Sequence, residues 1–155
     1  MQTEEKIIQY LEEHYNATIA TCSQNKPHAA TVSYISQGLT IYFAAKANSM
    51  KVRDILANPD VALTVYKDYS DLLETKGLEY IGRAEVIRDP TVTQRIIELL
   101  MAKFPGYKTI IDENMLDMFP SNRRGSQEPE FLIIMVNPEW VRYVDAKTGF
   151  ETLSI

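Results

Sequence analysis

Residues 29–63, AATVSYISQGLTIYFAAKANSMKVRDILANPDVAL, decide the fold. Small, β-branched and aromatic side chains alternate along two runs, 29–36 and 39–45, and this alternation predicts two half-buried strands. The connection between them is Gln37-Gly38, which is too short for anything but an antiparallel hairpin, because a parallel crossover needs a dozen or more residues. A short helix over about residues 49–57 follows and ends at Asn58-Pro59, since proline cannot continue a helix.

Further short strands flank this hairpin. They are predicted at 17–22, 61–66, 77–87, 131–136 and 140–145, with Asn137-Pro138 separating the last two. Gly82 predicts a bulge or a sharp bend within its strand. Helices are predicted from a Thr3 cap to Asn16, from Asp89-Pro90 onwards, and over 109–118. The expected architecture is mainly β: a six-stranded antiparallel barrel with helical decoration.

Composition narrows the class of protein. The 155 residues have an apolar content of 45% and a net charge of -5, and they predict one domain over 1–155. Nucleic acid is not an expected partner, because Arg123-Arg124 is the one tight basic cluster. No membrane span is expected either, since the longest apolar run, 131–136, is too short. The acidic N-terminal segment and the single cysteine, Cys22, favour a cytoplasmic location.

Several common active-site motifs are absent. The sequence has no G-x-G-x-x-G, no P-loop, no G-x-S-x-G and no H-E-x-x-H pattern. Two histidines, His14 and His28, and one cysteine do not make a dense metal site, so no metal is expected. No residue is assigned a catalytic role on this basis.

The segment Asn48–Arg53 carries a chemical signal. Ser49 is a good helix N-cap, yet Lys51 and Arg53 place two positive charges in the first turn, where they oppose the helix dipole. An anion on that terminus would explain the arrangement, because free N–H groups, a hydroxyl and an ammonium together hold a phosphate well. The alternative is that both cations point into solvent or pair with Asp54 and nearby glutamates.

The order of motifs resembles the pyridoxamine 5′-phosphate oxidase-like family of flavin split barrels. The matching residues are Ser49-Met50-Lys51 at the helix start, Leu56-Ala57-Asn58-Pro59 at its end and the later Gly82-Arg83-Ala84-Glu85. The resemblance implies an FMN-binding split β-barrel that holds FMN without a covalent bond at the interface of a homodimer.

The same resemblance assigns the cofactor contacts. Ser49 and Lys51 correspond to the phosphate ligands, the second predicted strand to contacts along the flavin, and the end of the third strand to further contacts with the cofactor. The residues so assigned are Thr31, Val32, Ser33, Tyr34, Ala44, Ala45, Ser49, Met50 and Lys51.

Departures from the family pattern argue against a vitamin B6 oxidase proper. Met50 and Thr31 stand where those oxidases have arginines, and Arg53 is a candidate to compensate for the arginine missing at position 50. Gly77 stands about where they place a glutamine of the other subunit. The segment 145–150 lacks their Arg-x-His pair.

The leading functional hypothesis is therefore a flavin-dependent oxidoreductase of unassigned substrate. The main alternative is a non-catalytic module of the same fold that holds flavin, deazaflavin or haem, where haem would need His14 or His28. A third is a barrel without cofactor that acts as an interaction protein. Tyr34 and Trp140 are candidates to stack on the ring, although strand aromatics are more often core.

Two further expectations rest on particular segments. The apolar strand 131–136 needs cover on both faces, which supports a homodimer. The segment 105–129 is a candidate lid over the site because of its position in the chain.

Overall fold

A computed structural model describes residues 1–110, 118–121 and 128–155. Its strands are β1 (Asn16–Ser23), β2 (Lys26–Gln37), β3 (Thr40–Lys46), β4 (Asp60–Tyr66), β5 (Lys76–Ile87), β6 (Phe131–Asp145) and β7 (Gly149–Ser154). Its helices are α1 (Thr3–Glu13), α2 (Met50–Ala57), α3 (Pro90–Lys103) and α4 (Tyr107–Ile110), with a 3-10 turn at Leu72–Glu74. The predicted helix over 109–118 and the candidate lid over 105–129 lie partly outside the described residues.

The strands form a closed antiparallel barrel. The order is β3-β2-β1-β4-β5-β6-β7, and β3 also pairs with β6, which closes the first six strands into a ring. The predicted six-stranded antiparallel barrel is thus confirmed. β7 adds a seventh strand along β6 that the sequence did not predict, and it brings Glu151 within 2.7 Å of Lys6 on α1. Thr3 does not cap α1, since Gln2 occupies the cap position and the Thr3 hydroxyl bonds Glu151.

The prediction of two separate final strands is wrong. Asn137 and Pro138 lie within one continuous strand, β6, of 15 residues. Ile81 pairs with Trp140 and Gly82 with Pro138, so Glu139 is the extra residue of a β-bulge. A proline is tolerated at such an irregularity, where the ladder of hydrogen bonds is already interrupted. The bulge predicted at Gly82 is confirmed, and a Cβ there would collide with the Asn137 carbonyl.

Two apolar clusters organise the packing. The larger fills the barrel interior, and α2 closes one end of it through Val52 and Ile55. The smaller lies outside the barrel, where α3 and Phe119 cover the outward side chains of β3 and β6, including Tyr42 and Ile133. Both faces of 131–136 are therefore covered within the chain, so this strand gives no argument for a dimer.

The helices of the described ranges include none long and apolar enough to cross a membrane.

Candidate functional site

β2 and β3 are joined by four residue pairs next to their turn and are unpaired with each other beyond that point, which leaves a split between them. The two strands pair only from Tyr34 with Phe43 to Gln37 with Thr40. Beyond that point β2 stays on β1, where Ser33 pairs with Asn16, and β3 stays on β6, where Ala44 pairs with Ile133. The edge of β2 at 31–33 and that of β3 at 44–46 are thus left unpaired toward each other. Unpaired strand edges present N–H and C=O groups, so this split can hydrogen-bond a flat polar ligand.

The N-terminus of α2 follows directly after this split. Ser49 is the N-cap residue, and its carbonyl accepts the first helical bond from the Arg53 amide at 3.1 Å. Its side chain forms no capping bond, and its Oγ is buried without a hydrogen-bond partner among the described residues. Helix geometry also leaves the amides of Met50, Lys51 and Val52 free. A buried, unbonded hydroxyl beside free amides is costly alone and suits an anion with several acceptor oxygens.

The two cations of the first turn remain available. Asp54, which could have neutralised them, instead accepts a hydrogen bond from Thr21 Oγ1 at 2.7 Å. The Arg53 guanidinium turns back to the Asn48 carbonyl, 3.5 Å away, so it lies beside the helix start. Neither Lys51 nor Arg53 forms an ion pair within the part of the chain that is described. Pairing with Asp54, one of the two alternatives to a phosphate site, is not realised.

The predicted residues of β2 divide between the two faces of the strand. Thr31 is exposed and Ser33 half-buried on the outer face, where the Ser33 hydroxyl donates to Asn16 Oδ1 at 3.0 Å. Val32 and Tyr34 point into the barrel core. A ligand in the split can meet the side chains of Thr31 and Ser33, but only the main chain of Val32 and Tyr34.

The aromatic candidates for ring stacking are not at the split. Tyr34 is fully buried and its hydroxyl donates to the Leu11 carbonyl at 2.9 Å, so it is a core residue. Burial raises the pKa of its phenol well above the usual value. Trp140 lies on the distant half of β6, between Ile81 and Ser154. Within one chain, neither aromatic ring can stack on a ligand held in the split.

Sequence reasoning missed several residues next to the helix start. A cavity of about 330 Å³ adjoins the loop before Ser49, lined by Lys46, Asn48, Glu130 and Phe131 among others. The Glu130 carbonyl accepts a hydrogen bond from the Ala47 amide at 2.8 Å, which fixes the loop to the start of β6. Lys46 is exposed and adds a third cation to this region. The sequence predicts that Lys46 lies at the end of β3, but it does not predict which residues of β6 are its neighbours.

Residues 3–145 match the pyridoxamine 5′-phosphate oxidase family. The chain belongs to this family. General stress protein 26 of Bacillus subtilis (strain 168) is 22% identical over 142 residues, which cover 92% of the chain and 88% of that protein. A crystal structure of a pyridoxamine 5′-phosphate oxidase homologue from Listeria innocua superposes with a TM-score of 0.69 at 23% identity, covering 93% of this chain and 99% of that one.

Other structures of the pyridoxamine 5′-phosphate oxidase-like fold differ in what they bind. The haem storage protein HutZ of Vibrio cholerae matches with a TM-score of 0.67 at 18% identity and covers 90% of this chain and 92% of its own. An FAD-binding protein from Mesorhizobium loti matches with a TM-score of 0.66 at 13% identity, covering 91% and 92%. At these identities the likeness shows the fold alone, so the choice of cofactor depends on the residues of the site itself.

Proposed function

We propose that the protein binds FMN in the split between β2 and β3 and serves as a flavin-dependent oxidoreductase. The observation that carries the proposal is the buried Ser49 hydroxyl at a helix N-terminus, which has no hydrogen-bond partner in the described part of the chain and follows directly after two unpaired strand edges. A phosphate at the helix start would satisfy the hydroxyl and the free amides together. The split would then receive the ribityl chain and the polar edge of the ring.

Each residue has a separate task in this arrangement. Ser49 Oγ and the amides of Met50 and Lys51 would bond phosphate oxygens, while the Lys51 ammonium and the Arg53 guanidinium supply positive charge. Arg53 thereby takes over part of the charge lost where Met50 replaces an arginine. Met50, 54% exposed, offers its thioether as apolar cover at the surface. Main-chain groups of Ala44 and Ala45 and the hydroxyls of Thr31 and Ser33 would position the remainder of the cofactor.

The chemistry belongs to the flavin, whose N5 accepts or donates a hydride or electrons when the cofactor is bound. The chain contributes binding, orientation and electrostatics. Because the chain only has to bind and orient the flavin, its site can be built from main-chain edges, hydroxyls and cations. The small side chains of Ala44 and Ala45 allow the ring to approach the main chain of β3 closely.

We also propose that the functional unit is a homodimer formed through the outer face of β1, β2 and β4. Thr18 pairs with both Thr31 and Thr64 on this face, and Ala20 pairs with Ala29 and Ala62. These outward side chains are exposed, small and uncharged, whereas a solvent-facing sheet surface is ordinarily rich in charge. Thr31 lies both on this face and at the edge of the split. A second copy packed against the face would therefore cover the side of the flavin that points away from the edges of β2 and β3.

Haem is the second cofactor to weigh, because HutZ is a haem storage protein. Haem needs an axial ligand, and the chain has two histidines. The His14 ring stacks on Tyr10 at 3.8 Å and bonds the Tyr10 carbonyl, while His28 lies on the inward face of β2 with a buried Nδ1. Neither imidazole is presented to the split, and flavin therefore fits this site better than haem.

The deciding experiment is the visible spectrum of the purified protein, combined with titration of the cofactor-free protein with FMN, riboflavin, FAD and haemin. Bands of oxidised flavin and a tighter dissociation constant for FMN than for riboflavin would support the proposal, because riboflavin lacks the phosphate. A Soret band, or equal affinity for FMN and riboflavin, would overturn it. Sedimentation of the FMN complex tests the dimer separately, and a monomer that retains flavin contradicts the proposed interface.

A further inference from the structure

Two side-chain hydrogen bonds attach α2 to the end of β1. The Thr21 hydroxyl donates to Asp54 Oδ2 at 2.7 Å, in the middle of the helix. The Asn58 side-chain amide donates to the Cys22 carbonyl at 2.9 Å, just past the end of the helix. Both bonds hold the helix against the strand, but only the bond from Thr21 involves a charged group. This bond therefore fixes the direction of a carboxylate as well as the position of the helix.

Asp54 is the one acidic residue of α2, and it lies three residues after Lys51. Side chains at positions i and i+3 are neighbours on a helix surface, so a carboxylate and an ammonium in these positions can form an ion pair. No ion pair joins Asp54 to Lys51, since the ion pairs within the described part of the chain include neither residue. The Asp54 carboxylate turns toward β1 instead, where Thr21 donates a hydrogen bond to it.

Position 21 is an unusual place for a hydroxyl. Thr21 follows Ala17 and Ile19 on the inward face of β1, and it is 2% exposed. An inward strand position ordinarily takes an apolar side chain, and valine has almost the same shape as threonine without the polar group. The buried hydroxyl loses hydration that valine never has, and its bond to Asp54 offsets that loss. The feature that distinguishes Thr21 from an ordinary core residue is thus its contact with the Asp54 carboxylate.

We infer that Thr21 is a positioning residue for phosphate binding at the start of α2. Its hydroxyl holds the Asp54 carboxylate on β1, so that the ammonium of Lys51 stays available to a phosphate. A carboxylate turned to Lys51 would compete with the phosphate for that positive charge and would repel the phosphate. The inference rests on the proposed FMN site and extends it to a buried residue that acts through Asp54 and not by contact with the cofactor.

The test compares FMN with riboflavin, which lacks the phosphate, by titration of the cofactor-free wild-type protein and of Thr21→Val. Without the hydroxyl, Asp54 is free to turn to Lys51, and FMN should bind about two- to fivefold more weakly, the range for an ion pair at a protein surface. The affinity for riboflavin should not change, because riboflavin does not use the charge of Lys51. Thr21→Ser keeps a hydroxyl at this position and should retain the wild-type preference for FMN.

Two controls separate the effect of charge from simple attachment of the helix. Asn58→Ala removes the other bond between α2 and β1 but releases no carboxylate. It should therefore keep the wild-type ratio of the dissociation constants for riboflavin and FMN. In an Asp54→Asn background there is no carboxylate to release, so adding Thr21→Val should not change that ratio.

If the wild-type protein prefers FMN and Thr21→Val keeps the same ratio, the inference is overturned and the phosphate site stands. An equal loss in the Asp54→Asn background, or in Asn58→Ala, would also overturn it, because the loss would then come from movement of the helix. A wild-type protein that binds FMN no more tightly than riboflavin would overturn the phosphate site itself, and the inference with it. Thr21→Ala, which also lacks the hydroxyl, gives the same comparison if Thr21→Val does not fold.

Discussion

Tyr34 and Phe43 form the last pair that joins β2 to β3, and both side chains are fully buried in the barrel. The Tyr34 hydroxyl is also bonded to the Leu11 carbonyl of α1. The point at which the two strands part is therefore fixed by the core and by a helix on the far side. A ligand in the split meets edges that are already positioned before it binds, which reduces the entropic cost of binding.

Lys51→Ala is expected to weaken FMN binding by about 1.5–3 kcal/mol, the range for a hydrogen bond to a charged group. Calorimetric titration or quenching of flavin fluorescence measures the change. Lys26→Ala, at the exposed start of β2, is the matched control and should leave the dissociation constant unchanged. An unchanged affinity in Lys51→Ala would remove this lysine from the phosphate site.

Ser49→Ala should have opposite effects on the free and the bound protein. Without ligand the variant should be as stable as the wild type or more stable by about 1 kcal/mol, because it removes a buried hydroxyl that has no partner within residues 1–110, 118–121 and 128–155. Its FMN affinity should fall by about 0.5–1.5 kcal/mol, the value of one lost hydrogen bond. Urea unfolding and FMN titration give the two numbers. A loss of stability in the ligand-free variant would mean that the hydroxyl has a structural partner.

The charge of Lys103 makes stability depend on pH in a definite direction. Its pKa in the folded chain, about 8, lies below that of an ordinary lysine, so the unfolded chain binds the proton more tightly. The penalty is complete below about pH 8, and stability should rise with pH from there to about pH 10. Lys103→Met should abolish this rise and should stabilise the protein near neutral pH by roughly 1–3 kcal/mol, after allowance for partial exposure.

Urea unfolding near pH 7 and near pH 9.5 checks this pH dependence, with Lys108→Met as the control that should keep the rise. Parallel pH profiles for the wild type and Lys103→Met would contradict the burial of a charged amine.

Gly82→Ala is expected to destabilise the fold by about 1–3 kcal/mol, because the added methyl group meets the Asn137 backbone carbonyl at the bulge. Gly106→Ala is the control, since a Cβ at that position meets no atom of the described residues within 4 Å. Thermal or urea unfolding of the two variants measures the difference. Equal stabilities would show that β6 can shift to accommodate the methyl group.

Local patterns were enough to predict the hairpin, the short helix and the bulge. Alternation over 29–36 and 39–45, the Gln37-Gly38 link and Gly82 each act through nearest neighbours, so their consequences appear in the sequence. Pro138 gave the opposite result. Its local sequence predicts a break between two strands, but pairing with β5 accommodates the proline at the bulge, and β6 continues past it. Pairing across the barrel, which no local window contains, decided the outcome.

The candidate site was predictable in its position but not in its atomic detail. Helix-capping rules located Ser49 and the dipole rule marked Lys51 and Arg53 as unusual. Whether the Ser49 hydroxyl caps its own helix depends on side-chain geometry, and here it does not. Alternation of side chains likewise placed Thr31 and Ser33 on one face of the strand and Val32 and Tyr34 on the other. Which face is buried depends on the barrel core, to which several strands contribute.

The ring of Tyr66 occupies the space that any side chain at Gly77 would need. The two residues are paired across β4 and β5, so a larger residue at position 77 requires the Tyr66 ring to move or to become smaller. A glutamine at position 77 would therefore need the Tyr66 ring, which is 41% exposed, to rotate outward or to be replaced by a smaller side chain. The packing of this one aromatic ring sets the size of residue that β5 accepts at position 77.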